Sequence, residues 1–330
     1  MSPPGASGCR SEFCIFGVNV ESDLPPPASG PPTGPTTLRI ESDPGIAFPA
    51  PPMLSMLRWG PEGAGRYELG LLDSCTYLSQ EAVGVFACTA DRIGYRMFES
   101  SSVESLMEQL YGIVFTVWLE RMGYPVLHGA AVEINGKAVG LIGDSGVGKS
   151  SLTAAFLRRG HRVLGDDHLV IDGRGAEVAA VPALPWLKFE LDTLKWLGFD
   201  HAVMPLWHPA IEKRRFDLPA ANRVSARLPL SGLYFLHRQS TGGLAIADVR
   251  PADALPILIR HSHVPRTVAK IGLHGSRLGV LARLLNQVGL RRLAYQNAFD
   301  RLDDVVQAVS EDAQTARRTS ALASAVGRHD

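Results

Sequence analysis

The run Gly143-Asp144-Ser145-Gly146-Val147-Gly148-Lys149-Ser150 constrains this chain more than any other feature. It satisfies G-x-x-x-x-G-K-[ST] and lies between an apolar stretch ending Leu141-Ile142 and a helical pattern running from Lys149 to about Arg159. That is the strand–loop–helix setting the motif requires. Glycines at these spacings let successive main-chain N–H groups curl around an anion without Cβ clashes, at a helix N-terminus whose partial positive charge favours it. The loop from Gly143 through Ser151 is therefore read as a polyphosphate cradle, with Lys149 reaching the β- and γ-phosphates and the Ser150 hydroxyl meeting Mg²⁺. ATP and Mg²⁺ are the cofactors expected.

The chain is long enough for such a domain and a second one. Its 330 residues are 45% hydrophobic and 20% charged, a composition ordinary for a globular protein. Lys+Arg and Asp+Glu each number 33, so no overall charge points to a nucleic acid or an anionic membrane. No stretch approaches the roughly 20 apolar residues of a membrane span, and the start lacks the continuous apolar core of a signal peptide. Cys9, Cys14, Cys75 and Cys88 match neither a paired zinc site nor a disulfide framework. A cytoplasmic location is expected, with neither nucleic acid nor membrane as partner.

Residues 24–37 read LPPPASGPPTGPTT, where missing N–H groups and fixed φ angles oppose regular pairing. Residues 1–37 are thus expected to be a partly flexible segment ending in a Pro-rich linker. Short strand-like segments at 66–72, 76–80, 83–89 and 92–98, separated by Gly, Asp and Ser, predict a small β-rich domain over 38–122. It closes with a connecting helix, because Val103, Leu106, Met107, Leu110, Ile113, Val114 and Val117 recur at three- and four-residue intervals. From 123 to 315 strands alternate with helices, the pattern of an α/β domain. Within it, helical patterns cover 252–260, 276–290 and 302–314, and 316–330 is expected to be a flexible tail.

Beyond the P-loop helix comes Arg162-Val163-Leu164-Gly165-Asp166-Asp167-His168. Neighbouring side chains on a strand point to opposite faces, so both carboxylates can serve one site only if the strand ends at Gly165. One acid could then sit in the Mg²⁺ shell while the other takes the proton of an attacking hydroxyl. His128, at the end of Pro125-Val126-Leu127 and before Gly129-Ala130-Ala131, is a candidate for the same site.

The order LHGAAVEINGKAVGLIGDSGVGKSSLTAAFLRRGHRVLGDDHLVI resembles the catalytic core of the bacterial HPr kinase/phosphorylase family, whose fold is related to that of ATP-dependent phosphoenolpyruvate carboxykinase. The resemblance implies a P-loop kinase domain of that type behind a small β-rich domain. It also implies roles: Lys149 and Ser150 on phosphate and Mg²⁺, Asp167 as base for an acceptor serine, and Asp166 and His128 beside the transferring phosphoryl group. In the family a later acid also meets the metal; forward counting lands on Asp192, with Glu190 as the alternative. Lys213-Arg214-Arg215 stands where the family has a mobile basic loop, so Arg214 and Arg215 are expected at phosphate. The glycine-rich segment that follows the paired aspartates in HPr kinases is replaced here by PALPWLKFELDTLKWLGFD. Flanking stretches such as FGVNVESDLPPP and KRRFDLP are similar to an HPr-kinase-like subgroup associated with lasso-peptide gene clusters, in which the terminal serine of a precursor peptide is phosphorylated. The family's hexamers make a homo-oligomer an expectation too.

A serine kinase acting on a peptide or small protein is the leading expectation. An HPr-like protein or a small metabolite as acceptor, or a nucleotide-binding regulator or ATPase with no acceptor, remain alternatives. Leu230-Ser231-Gly232 is superficially like a transporter ATPase signature but runs into strand-like residues rather than a helix. His201, His208, His261 and His263 lack carboxylate or Cys partners at metal-ligand spacing.

Overall fold

The computed structural model describes residues 10–27, 30–50, 55–60, 65–200, 204–208, 211–296 and 298–326. The chain forms two units, one of Met1–Val126 with Val264–Leu278, the other of Leu127–His263 with Gly279–Asp330.

The first unit is built on an eight-stranded sheet. Its strands are β1 (Ser11–Ile15), β2 (Val18–Ser22), β3 (Leu38–Ser42), β4 (Ser55–Trp59), β5 (Tyr67–Leu72), β6 (Cys75–Gln80), β7 (Gly84–Cys88) and β8 (Arg92–Met97), in the order β1-β2-β3-β8-β7-β6-β5-β4. β4 to β8 form an antiparallel meander, whereas β3 lies parallel to both β2 and β8. Segment 1–37, expected to be partly flexible, instead contributes the β1–β2 hairpin and buries Phe13, Ile15, Phe16, Val18 and Val20. Its Pro-rich run is tied down by Asn19, whose side chain accepts from Thr33 N–H at 2.9 Å and donates to Pro35 O at 3.2 Å.

The amphipathic pattern after Ser102 forms α1 (Val103–Gln109) and α2 (Phe115–Arg121), joined by a π turn over Leu110–Val114. Tyr111, Phe115 and Trp118 pack against one another along its buried face, the last pair edge-on. Glu120 is also buried: it accepts the Val126 N–H at 2.8 Å and pairs at 3.2 Å with Arg277, near the start of a helix far along the chain. Burial pushes the Glu120 carboxyl up to about 7 against the pull of Arg277.

In the second unit, β9 (Val126–Ile134) and β10 (Lys137–Ile142) form a hairpin closed by Asn135-Gly136, both at positive φ. That is the backbone of the two-residue turns whose twist matches paired strands. α3 (Lys149–Arg158), β11 (Val163–Gly165), β12 (His168–Asp172), β13 (Ala179–Val181), β14 (Trp186–Phe189), α4 (Leu191–Leu197), β15 (Leu206–His208), β16 (Ile211–Asp217), β17 (Leu228–Arg238) and β18 (Ala245–Asp248) follow. The remaining elements of the chain are α5 (Pro251–Arg260), α6 (Pro265–Lys270), α7 (His274–Val288), β19 (Arg291–Tyr295) and α8 (Leu302–Val326).

The main sheet of this unit runs β10-β9-β12-β13-β17-β19-β18, with β11 on β9, and β10 also pairs with β17. The P-loop strand therefore has β17 parallel on one side and β9 antiparallel on the other. Alternation along β9 and β10 sends Ala130, Val132, Val139 and Leu141 to a core shared with α3 and α8. Leu127, Ala131, Ala138 and Ile142 go to a second core with α5 and α7. A sheet buried on both faces explains why these strands read as continuous apolar runs. A small sheet, β14-β16-β15, carries residues 186–217.

α8 continues through Val326, past the expected end of the helix. Ala313 is the last core residue among the described side chains, and the sequence beyond it is rich in Ala and Arg, strong helix formers in their own right. Residues 327–330 of the expected tail, and Cys9, lie outside the described residues. No described helix is long and apolar enough to cross a membrane.

Candidate active site

The P-loop adopts the backbone that its glycines permit. Gly143, Gly146 and Gly148 all lie at positive φ, and Gly148 caps α3 in the left-handed region. A Cβ at Gly143 would stand 2.9 Å from Val147 Cγ1, so the turn needs glycine for space as well as for φ. Lys149 is buried, and its ammonium donates to the carbonyls of Gly143 at 2.8 Å and Asp144 at 3.0 Å. Asp144 carries two further groups on its carboxylate: Arg260 at 3.2 Å and His261 at 3.9 Å, from the C-terminal end of α5.

The two aspartates sit in the bend between β11 and β12, where the strand indeed ends at Gly165. Asp167 has φ +65, a left-handed conformation uncommon for a residue with a side chain and concentrated at functional sites. The bend separates the two carboxyls into different surroundings. Asp166 is 4% exposed and accepts the Ser150 hydroxyl at 3.0 Å, while its Oδ1 has no hydrogen-bond partner among the described residues. Burial and the neighbouring Asp167 charge push it up to about 6. Burial alone would raise Asp167 as well, but the Lys188 ammonium 2.8 Å away holds it well below the usual carboxylate range.

A buried carboxylate oxygen without a partner, beside the P-loop hydroxyl, forms a hard, all-oxygen donor pair. It suits Mg²⁺, which takes one or two protein oxygens and completes its shell with phosphate and water. Among the described residues no cluster of three or more His, Cys, Asp or Glu could hold a metal on its own. His201 falls outside the described residues.

His128 is half-buried on β9, its backbone N–H donating to His261 O at 2.7 Å and its ring 6.0 Å from that of His263. Burial, then the Lys149 charge, lowers its pKa. His263 stacks on His168 with centroids 4.3 Å apart, and burial lowers it to about 4. The structure thus places uncharged imidazoles around the acid pair. Neither His168, adjacent to the aspartates, nor His263, distant in sequence, stands among the expected site residues.

Lys188 was also outside those expectations, and its signal is strand alternation. Lys188 pairs across the small sheet with Arg215, so Trp186, Lys188, Lys213 and Arg215 share the face toward Asp167. The same alternation overturns two expectations. Lys213-Arg214-Arg215 is strand β16, not a loop, and Arg214 lies on the opposite face, donating to Met204 O at 3.1 Å. Arg215 is engaged by Asp217 at 2.7 Å and stacks 4.2 Å over Trp186.

The expected second metal acid is not brought to the pair. Asp192 is exposed in the first turn of α4 and reaches Lys195 at 3.7 Å. Glu190 is the exposed N-cap residue of that helix. α4 meets the P-loop helix instead through Thr193, whose hydroxyl is 3.2 Å from that of Ser151.

Residues 123–185 match the family model of the HPr Serine kinase C-terminal domain. A HPr kinase/phosphorylase of Prosthecochloris aestuarii is 44% identical over 55 residues, 17% of this chain and 16% of that protein. The one of Halalkalibacterium halodurans is 27% identical over 227 residues, 66% of each chain. The chain thus spans less than two thirds of these relatives' lengths. A solved Hpr(Ser) kinase/phosphatase of Coxiella burnetii is similar at TM-score 0.34 and 11% identity, over 62% of this chain and 98% of that one. The matched stretch holds His128, the P-loop and the acid pair, and on that match the chain is HPr kinase-like in its P-loop core.

Proposed function

We propose that this protein is an ATP- and Mg²⁺-dependent serine kinase whose acceptor is a peptide or small protein. The observation that carries the reading is the Ser150–Asp166 hydrogen bond at 3.0 Å beside a P-loop, with a second, lysine-tethered carboxylate one residue further on. This is the pairing of a metal-holding group and a hydroxyl-facing acid that phosphoryl transfer needs. Ser150 and Asp166 would hold Mg²⁺, which when bound neutralises charge on the β- and γ-phosphates.

The remaining work falls to the chain. The loop amides and Lys149 bind the phosphate tail and fix it for in-line attack. Asp167 accepts the hydrogen bond of the serine hydroxyl, orients it, and takes its proton. A strongly acidic carboxylate serves here, because in a loose transition state the hydroxyl becomes acidic only as the bond to phosphorus forms. The neutral imidazoles of His128 and His263 border the acids without adding charge that would compete with phosphate.

The relatives' names supply a first acceptor to try, HPr; a lasso precursor peptide with a terminal serine is the second. The test is incubation with γ-labelled ATP and Mg²⁺ in the presence of each. Label on the acceptor is expected, with Asp167→Asn lowering transfer by about 10²–10⁴-fold while nucleotide affinity stays unchanged. Release of free phosphate alone, unaffected by acceptor, would favour an ATPase instead.

A further inference from the structure

A loose phosphoryl-transfer transition state spreads its charge over three equatorial oxygens, and an arginine that meets them adds strongly to the rate. Arg214 and Arg215 are out of play, the first turned to Met204 O and the second held by Asp217 and Trp186. The arginine that does touch the P-loop is Arg260, the last residue of α5, whose Nη2 donates to Asp144 Oδ1 at 3.2 Å.

Two observations put this guanidinium at the end of the loop where transfer takes place. Lys149, read as reaching the β- and γ-phosphates, donates to Asp144 O at 3.0 Å, so Asp144 marks that end of the cradle. His261, next in the chain, is buried; its carbonyl accepts the His128 N–H at 2.7 Å and its ring lies 5.3 Å from that of Phe235. Arg260 therefore has a fixed root and a free tip. Its side chain is 73% exposed, and the carboxylate it meets is itself 60% exposed. An exposed pair of this kind holds weakly, and the guanidinium has further N–H donors for a second acceptor. A γ-phosphate entering the loop repels the Asp144 carboxylate and attracts the guanidinium, which favours exchange of one anion for the other.

We propose that Arg260 is a catalytic residue that Asp144 holds in waiting: once a triphosphate fills the loop, the guanidinium leaves the carboxylate for the equatorial oxygens of the transferring phosphoryl group. The assignment rests on the reading of the loop as a triphosphate cradle. Arg260 neither gives nor takes a proton. The bond from phosphorus to the β–γ bridging oxygen breaks, the bond to the acceptor oxygen forms, and the guanidinium balances the charge carried between them.

Calorimetry with Mg–ADP, alone and with aluminium fluoride as a planar stand-in for the transferring group, tests this without an acceptor. The wild type binds the fluoroaluminate complex about tenfold or more tightly than Mg–ADP alone. Arg260→Ala, at an exposed position, loses that advantage and keeps its Mg–ADP affinity within about twofold, and it does so equally in an Asp144→Asn background. Persistence of the advantage in Arg260→Ala, or its absence from the wild type, overturns the assignment and leaves the cradle standing. So does an Arg260→Ala that becomes silent in the Asp144→Asn background, which makes Arg260 a support of the loop. Failure of the wild type to bind Mg–ADP brings down the cradle and Arg260 together, whereas an Arg260-dependent advantage with no labelled acceptor removes the serine-kinase reading alone.

Discussion

Asp166 and Asp167 are neighbours in the chain, yet one carboxyl is buried against a serine hydroxyl and the other is held by an ammonium. The pair was legible from its place after the P-loop helix, and so was the need for the strand to stop at Gly165. The residue pattern alone left open which acid does which, and only the family resemblance assigned Asp167 as base; the difference in their surroundings depends on Lys188, which comes from a different sheet. In the proposed mechanism Lys188 acts through Asp167, 2.8 Å away, so its removal should lower turnover and leave the Michaelis constant for ATP in place. Lys188→Met is expected to cost about 10–100-fold in turnover, with Lys188→Arg recovering part of it. Steady-state kinetics with whichever acceptor takes up the label checks this; a parallel rise in the Michaelis constant would mean Lys188 binds nucleotide. Arg214 carries the converse lesson. Adjacent basic residues look equivalent in a sequence, but on a strand only alternate ones share a face, and Arg214 falls on the wrong one.

At the scale of elements, local patterns were readable wherever a segment carries its own period or turn chemistry. β5 to β8 and α3 stand within a residue or two of their expected positions because strand alternation and the P-loop glycines are local signals. The β1–β2 hairpin was obscured by the Pro-rich run behind it, although Phe13, Ile15, Val18 and Val20 do alternate. The link between α2 and the start of α7 has no local signal at all: Glu120 and Arg277 are both nearly fully buried and depend on each other. Replacing Arg277 by Met leaves a carboxyl in an apolar site with no cation. At pH 8, above the value of about 7 to which burial raises Glu120, the wild-type carboxylate is charged and paired with Arg277, and losing that pair costs about 3–5 kcal/mol. At pH 5 the carboxyl takes up a proton and becomes neutral, so the loss is smaller. Urea unfolding of Arg277→Met and wild type at the two pH values measures this. A penalty that shrinks as pH rises would contradict the sign.

Over the whole molecule, the sequence reading divides the chain near residue 122, where strand-rich texture gives way to alternating strands and helices. The fold divides it differently, because Val264–Leu278 returns to the first unit although it lies deep within the second half of the chain. Periodicity reveals α7 as a helix but not the short α6, and it cannot say which surface α7 covers, since that pairing is a long-range contact. A fragment ending at Val126 therefore keeps all eight strands of the first sheet and loses the cation that balances Glu120. Such a fragment is expected to unfold at lower urea concentration than the same strands in the intact chain, followed by hydrogen exchange at the β5–β8 amides. Rejoining residues 264–278 through a flexible Gly/Ser linker should restore much of the difference, and the same graft carrying Arg277→Met should restore less. If the bare fragment were as stable as the intact chain, the returning segment would be a passenger on the first unit rather than part of its core. If the two grafts were equal, its contribution would come from apolar packing of residues such as Val268 and not from the buried ion pair.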